Sequence, residues 1–337
     1  MKKNDQLDIF ASSQEGRAAS APRTGLLEAA ITRTLDRPLM VSIGMGVDAI
    51  AATIALVRLG ARIDLAVFSD TGGERPETYA YIEIFDRWLR ENAGIPLTVM
   101  RLVPPNAPYE TLEGELLANK TLPGAALGPK SCSVKWKGKA IDSWIRGWKA
   151  VGKREAQEPW QPALDCWEQG RRVLRVIGFD AGAKDRRRGA VEGDKHYQNF
   201  FVLRELGMDR LDCANEIISA GLPLPIKSAC FFCPFNKETE LKWLHHHHPD
   251  LFRRAMVIEA KALPRLTSSE GMWRKARVAD GRPGSWNAWA LKEGLVRLDA
   301  DDVDGFVLVE QSDPPMHYPD DEIGHLLAAQ NERRLAA

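Results

Sequence analysis

Nowhere in its 337 residues does the chain approach the ~18 consecutive apolar residues of a membrane-spanning helix, so no membrane partner is expected. The first 25 residues, rich in Ser, Ala and charge, also lack an apolar run of signal-peptide length. They read as an N-terminal arm (1–25) of a cytoplasmic protein. Net charge is missing too: 46 Lys and Arg balance 46 Asp and Glu, and no global field draws the chain onto nucleic acid or lipid. Cysteine is scarce. Five residues, an odd number without an export signal, argue against a disulfide framework and for ligation or catalysis. What is present fits a folded protein, since 44% hydrophobic and 27% charged residues supply a sizeable core. At roughly 150 residues per domain, the length allows two domains or one large α/β domain with an appendage.

Apolar periodicity orders the chain. Residues 26–35 have helical spacing, 38–43 form a short buried strand ended by glycines, and 48–59 are apolar nearly all round, as a helix packed on a sheet should be. A strand at 63–69, a helix opening at Pro76 over 76–93 and a strand at 97–102 follow. Strand, helix, strand, helix, strand in about 65 residues predicts an α/β fold with a doubly wound, mainly parallel sheet and right-handed crossovers. A further strand is expected at 173–179 and helices at 135–148, 209–220 and 237–262, while 263–337 reads as mixed. Charge is patterned locally: 127–154 hold eight basic side chains against Asp142 alone, and 299–322 hold nine acids and no Lys or Arg. Such runs are solvated surface or, for the basic segment 130–154, an anion-binding face.

Between the first strand and its helix lies Ser42-Ile43-Gly44-Met45-Gly46-Val47-Asp48-Ala49. In an open parallel sheet the ligand site forms at the carboxyl ends of the strands, where this loop sits. Two glycines let the backbone approach an anion, and the following helix turns its free N–H groups toward the same spot. The loop is neither a Walker loop nor a dinucleotide fingerprint, so it reads as a phosphate cradle or as an ordinary tight turn. Asp48 is then either a helix cap or a carboxylate that holds Mg²⁺ beside the phosphates, because two anions repel unless a cation bridges them.

Cys230-x-x-Cys233-Pro234 places two thiols on one tight turn, a spacing that suits a [4Fe–4S] cluster or zinc. Cys132 and Cys213 could complete four sulfurs, with Phe231, Phe232 and Phe235 as an apolar shell. Tetrahedral sulfur ligation alone does not separate the two metals. Cys166 reads as structural, and His245 to His248 as a solvated helix end without a role.

The second strand ends in Phe68-Ser69-Asp70-Thr71-Gly72-Gly73-Glu74-Arg75-Pro76-Glu77-Thr78-Tyr79. A strand ending in Asp-Thr-Gly, with Pro-Glu-Thr-Tyr opening a helix, resembles the phosphoadenosine phosphosulfate reductase family, within the PP-loop ATP pyrophosphatases and adenine nucleotide α-hydrolases. Ser131-Cys132-Ser133 with Lys135-Trp136-Lys137, Ile177-Gly178-Phe179-Asp180 leading to Asp185-Arg186-Arg187, and Ser228-Ala229-Cys230-Phe231-Phe232-Cys233-Pro234-Phe235 extend the match in the family's order over 38–245.

The resemblance implies a Rossmann-like adenine nucleotide α-hydrolase domain over 26–235 and a helical and irregular C-terminal region over 236–337. It implies ATP or a sulfonucleotide bound on Ser42, Gly44, Gly46, Val47 and Asp48, with Asp70, Thr71 and Gly178 near the nucleotide. Asp48, Lys135 and Arg186 would be catalytic, with Mg²⁺, and Cys132, Cys213, Cys230 and Cys233 would hold a [4Fe–4S] cluster, zinc being the alternative. The activity implied is ATP-dependent, pyrophosphate-releasing sulfur transfer to a nucleic-acid or small-molecule acceptor, with a sulfur-donor protein as partner. A sulfonucleotide reductase using an external thiol and a non-catalytic nucleotide- or nucleic-acid-binding module are the alternatives. Two departures bear on this: Ala49 stands where the family's loop has Ser, and no cysteine follows Cys233 to act as a C-terminal nucleophile.

Overall fold

Short runs of branched apolar residues ending in glycine or aspartate pair as strands wherever helices can cover them on both faces. The computed structural model describes residues 25–128, 131–151, 154–188, 192–310, 317–320 and 323–335; most of the N-terminal arm, together with Lys130 and Lys153 of the basic segment, lies outside the described residues. Helix α1 (Gly25–Ile31) precedes β1 (Leu39–Ser42), α2 (Val47–Arg58), β2 (Leu65–Asp70), α3 (Pro76–Ala93) and β3 (Leu97–Arg101). After α4 (Leu112–Asn119), α5 (Lys139–Arg146) and α6 (Gln161–Glu168) come β4 (Val173–Val176), the single turn α7 (Ala183–Arg186), β5 (Tyr197–Phe200) and α8 (Arg210–Ser219). The five strands form one sheet in the order β3-β2-β1-β4-β5. It is all parallel with helices on both sides, an α/β Rossmann-like arrangement. Met40 lies opposite Leu65 in β2 and Arg175 in β4, and Val173 opposite Tyr197.

Several elements depart from their sequence pattern. The segment expected as one helix over 135–148 opens with a π-helical stretch, Ser133–Gly138, before α5. The helix expected over 237–262 is two, α9 (Glu238–His247) and α10 (Pro249–Ala262), because Pro249 has no N–H to give the preceding turn and starts a new helix instead. Strand β5, Tyr-Gln-Asn-Phe, is too polar to read as a strand; only Tyr197 and Phe200 are buried, and Asn199 Oδ1 accepts from Arg175 Nη2 at 2.9 Å. The C-terminal part adds α11 (Trp286–Lys292), the antiparallel pair β6 (Val296–Leu298) and β7 (Phe306–Leu308), and α12 (Gly324–Leu335). Among the described residues no helix is long and apolar enough to cross a membrane.

Contacts divide the chain into two compact units that interleave along the sequence. The first comprises the described residues up to Phe68, Glu77–Val99 and Pro159–Ser228. Its centre is α2, whose Ile50, Ala51, Ala52, Ile54 and Leu56 are fully buried between the strands and α8. The second comprises Ser69–Pro76, Met100–Glu158 and the residues from Ala229 onward.

Within the second unit α10 packs against α4, α9 and α11. Its hub is Glu259, fully buried, which accepts from Met272 N (2.6 Å), Ser285 Oγ (2.7 Å), Trp286 N (2.9 Å), Asn287 N (2.7 Å) and Asn287 Nδ2 (2.8 Å). His245 is not solvated as expected: it is buried, edge-on to Phe252, with Nε2 3.1 Å from the Leu295 carbonyl. Five donors converging on one carboxylate leave several buried N–H groups unpaired if it is lost. Glu259→Ala is therefore expected to cost about 3 kcal/mol or more in urea denaturation.

Candidate functional site

After β1 the amides of Gly44 to Asp48 have no hydrogen-bond partner among the described residues. Ile43 N bonds Val67 O at 2.8 Å, continuing the ladder to the end of the strand, and the chain then leaves the sheet through Met45, held at φ 56, in the left-handed region. Gly46 caps α2 without a side-chain bond, so the N–H groups of the first turn have no cap partner and present the positive end of a 12-residue helix. A Cβ on Gly44 or Gly46 would meet nothing within 4 Å, so open space lies over both glycines. Ser42 Oγ is buried without a hydrogen-bond partner among the described residues. Val47 differs from its expected neighbours, because its side chain belongs to the core and only its amide can face a ligand. Gly178 has a packing role: a Cβ there would lie 2.7 Å from Ala49 Cα and N, so the chain after β4 passes against the start of α2.

Asp48 is the second residue of α2, not its cap. It meets two carboxylates that the sequence reading quoted in a motif but did not assign to the site. One carboxylate oxygen each from Asp48, Asp180 and Asp185 lies within 4.8 Å of the other two. Among the described residues this is the sole such grouping of three His, Cys, Asp or Glu side chains. The topology explains it. Chain direction across the sheet reverses between β1 and β4, and such a switch point opens a crevice at the strand ends, where Asp48 follows β1 and Asp180 follows β4.

Local bonds hold the trio. Asp180 Oδ1 accepts from Gly182 N at 2.8 Å, Asp185 Oδ2 from Asp180 N at 3.3 Å, and Asp185 Oδ1 pairs with Arg188 Nε at 3.2 Å. Asp48 Oδ1 accepts from Arg210 Nη1 at 2.8 Å. Hard oxygen donors from three carboxylates suit Mg²⁺, and Arg210 supplies the only guanidinium bonded to Asp48 among the described residues. Arg186, expected to be catalytic, is exposed on α7.

Burial pushes the Asp48 carboxyl above its ordinary 3.8; Arg210 pulls it down, and Asp180 and Asp185 push it up again. A folded-state value above the unfolded one means the fold binds this proton more tightly, so its contribution to stability declines as pH rises through that window. In metal-free buffer Asp48→Asn is expected to gain stability relative to the native chain as pH rises from about 4 toward neutral, read by urea denaturation across pH.

The second unit gathers the other expected residues. Asp70 Oδ1 accepts from Gly72 N at 2.7 Å and Oδ2 from Arg101 Nε at 3.1 Å, so its carboxylate is engaged in turn and ion-pair bonds. Thr71 Oγ1 stands 3.1 Å from Cys230 Sγ, and Phe231 N donates to Gly73 O at 2.9 Å, stitching the Asp-Thr-Gly-Gly turn to the cysteine turn. Gly73 is required there: a Cβ would stand 2.6 Å from the Phe232 ring. Lys135 pairs with Glu115 and stands 5.8 Å over the Tyr109 ring, so a carboxylate already occupies this ammonium. Glu74 was not anticipated. Its side chain is fully buried, neither oxygen has a hydrogen bond, and Lys137 Nζ stands 3.6 Å away. Burial pushes the Glu74 carboxyl up, against the pull of Lys137.

Cys230 and Cys233 share a turn closed by Cys233 N to Cys230 O at 2.9 Å, with Lys137 close enough to both to be drawn upward by them. Phe231 and Phe232 are buried, but Phe235 is 56% exposed and forms no shell. Cys132 is half-buried ahead of the π-helical stretch, and Cys166 is buried as expected. Cys213 is fully buried where α8 packs on α2, and burial, with Asp48 and Asp180, pushes its thiol up, as burial with Glu74 also does to Cys230. Zinc bound at ~2.3 Å to tetrahedral thiolates needs sulfurs about 3.8 Å apart. Within the second unit the thiols of Cys132, Cys230 and Cys233 do not all meet that condition. Cys230→Ser is expected to lower the iron or zinc content of anaerobically purified protein, and an equal loss in Cys213→Ala would place Cys213 in the same donor set; content unchanged by Cys230→Ser would remove the turn as a ligand. No family model and no curated protein matches the sequence.

Proposed function

We propose that the chain is an adenine-nucleotide-binding enzyme of the PP-loop type, an α-hydrolase-like fold that uses ATP and Mg²⁺ to adenylate an acceptor oxygen and release pyrophosphate for sulfur transfer. The observation that carries this reading is the convergence of Asp48, Asp180 and Asp185 within 4.8 Å at the sheet's switch point, beside a glycine loop with open space over it. The motif order resembling the phosphoadenosine phosphosulfate reductase family supports the same nucleotide.

In this reading the amides of the 42–48 loop and the first turn of α2 receive the phosphates, where the helix dipole favours negative charge. Asp48, Asp180 and Asp185 would hold Mg²⁺, which when bound offsets the charge that develops on the leaving pyrophosphate. Arg210 orients Asp48 and adds a fixed cation on the same side. Ala49 lacks the hydroxyl of the family's loop, so phosphate contacts fall to backbone amides and to Ser42. The Cys230–Cys233 turn, next to Lys137, is the thiol pair available for sulfur handling or for an iron–sulfur cluster. The acceptor is a nucleic acid or a small molecule, and sulfur comes from a donor protein.

Pyrophosphate release from ATP is the test. With Mg²⁺ and a sulfur donor, release is expected, and Asp180→Asn or Asp48→Ala should lower it by about 100-fold or more, given that fixed charge stabilisation at a single position is worth that much. Undiminished release in both variants would overturn the assignment. Sulfite release from adenylylsulfate with an added dithiol, without pyrophosphate release from ATP, would select the sulfonucleotide reductase instead.

A further inference from the structure

The second unit holds a cavity of about 620 Å³ between the turn that follows Cys233 and the loop 272–282, and the proposed adenylation makes no use of it. Its volume is that of a small-ligand site. The walls bring together cations and aromatic rings. Arg277 Nη2 pairs with Glu238 Oε1 at 2.6 Å and with Asp280, and Arg282 Nη1 reaches the same Glu238 at 3.7 Å. Arg274 is exposed, and among the described residues no carboxylate pairs with it. Three guanidiniums thus face two carboxylates. Phe235 stands 56% exposed at the rim, and the Arg282 guanidinium carbon lies 4.2 Å over the Trp273 ring.

Backbone bonds fix the shape of the loop. Arg274 holds φ 66, a left-handed conformation that is unfavourable for a residue with a Cβ. Arg274 N to Gly271 O at 2.9 Å and Glu270 N to Arg274 O at 2.8 Å impose it, and Glu259 anchors the adjoining Met272 N. Strain kept at an exposed, unpaired guanidinium inside a cavity points to a ligand.

Each wall narrows the chemistry. An apolar ligand would strip water from guanidiniums without replacing it, and a bare anion would leave the exposed Phe235 and most of the volume without a role. A flat π-system joined to an anion satisfies both. We propose that this cavity binds a nucleotide unit, its base stacked on Phe235 and the Arg282 guanidinium and its phosphate held by Arg274 and Arg277, either within a single-stranded nucleic acid or as a free nucleotide. The site goes beyond the proposed activity, and its occupancy is measurable without turnover.

The test is binding of a short fluorescein-labelled single strand, DNA and RNA in turn, to the full chain by anisotropy across salt, with mononucleotides as competitors. Saturable, salt-dependent binding is expected. Phe235→Ala should weaken it about tenfold, since base stacking on an aromatic ring contributes that much. Arg274→Gly relieves the left-handed backbone, so it should fold at least as well while weakening binding and flattening the log–log salt slope by about 0.7. Competition by mononucleotides at comparable concentration assigns a free nucleotide; strand binding without it assigns a nucleic acid. Asp48→Ala should lose pyrophosphate release and keep strand binding, which separates failure of one site from failure of the other. No binding of strand or mononucleotide, or binding unchanged in both cavity variants, overturns the proposal.

Discussion

Adjacent parallel strands cannot be joined by a tight turn and need a long crossover, and that constraint organises the candidate site. Each crossover delivers the carbonyl end of a strand to the amino end of a helix, so loops and unpaired helix amides collect along one edge. Where chain direction reverses, between β1 and β4, the two loops are not pulled past each other and a crevice is left. Asp48 and Asp180 come from opposite sides of that reversal. The close pass of Gly178 over Ala49 brings their backbones together, and a side chain on Gly178 would wedge them apart.

Three carboxylates, Glu259 and Glu74 buried and Asp48 half-buried, show how differently a fold can treat the same group. Glu259 receives five hydrogen bonds and is a rivet, joining α10 to the loops around α11. Asp48 has Arg210 on one side and like charges on the other, a balance that leaves room for a cation. The Glu74 carboxylate has no hydrogen bond among the described residues, with Lys137 Nζ 3.6 Å away. A satisfied carboxylate rigidifies, whereas an incompletely satisfied one marks where charge or a ligand is still needed.

Much of the fold is legible because its signals are local. Pro76 at the first turn and Gly94 past the last bound α3 from neighbouring residues alone, and the nearly all-apolar surface of α2 states that most of it is covered. Strand β5 escapes because Gln198 and Asn199 earn their place through the Arg175 partner on β4, a contact invisible along the chain. The break at Pro249 was readable and outweighed by the continuous helical spacing around it.

The candidate site divides along the same line. The phosphate loop, its glycines, the Asp-Thr-Gly turn and the Cys-x-x-Cys turn are contiguous stretches whose chemistry the sequence by itself determines, because spacing of a few residues sets what one turn can present. Only the tertiary structure decided that Asp48 meets Asp185, that Lys135 is taken by Glu115, and that Cys213 is enclosed with carboxylates beside α2. Those outcomes depend on which strands lie side by side and on how completely each charge is removed from water, and neither quantity is carried by residues that are neighbours in the chain.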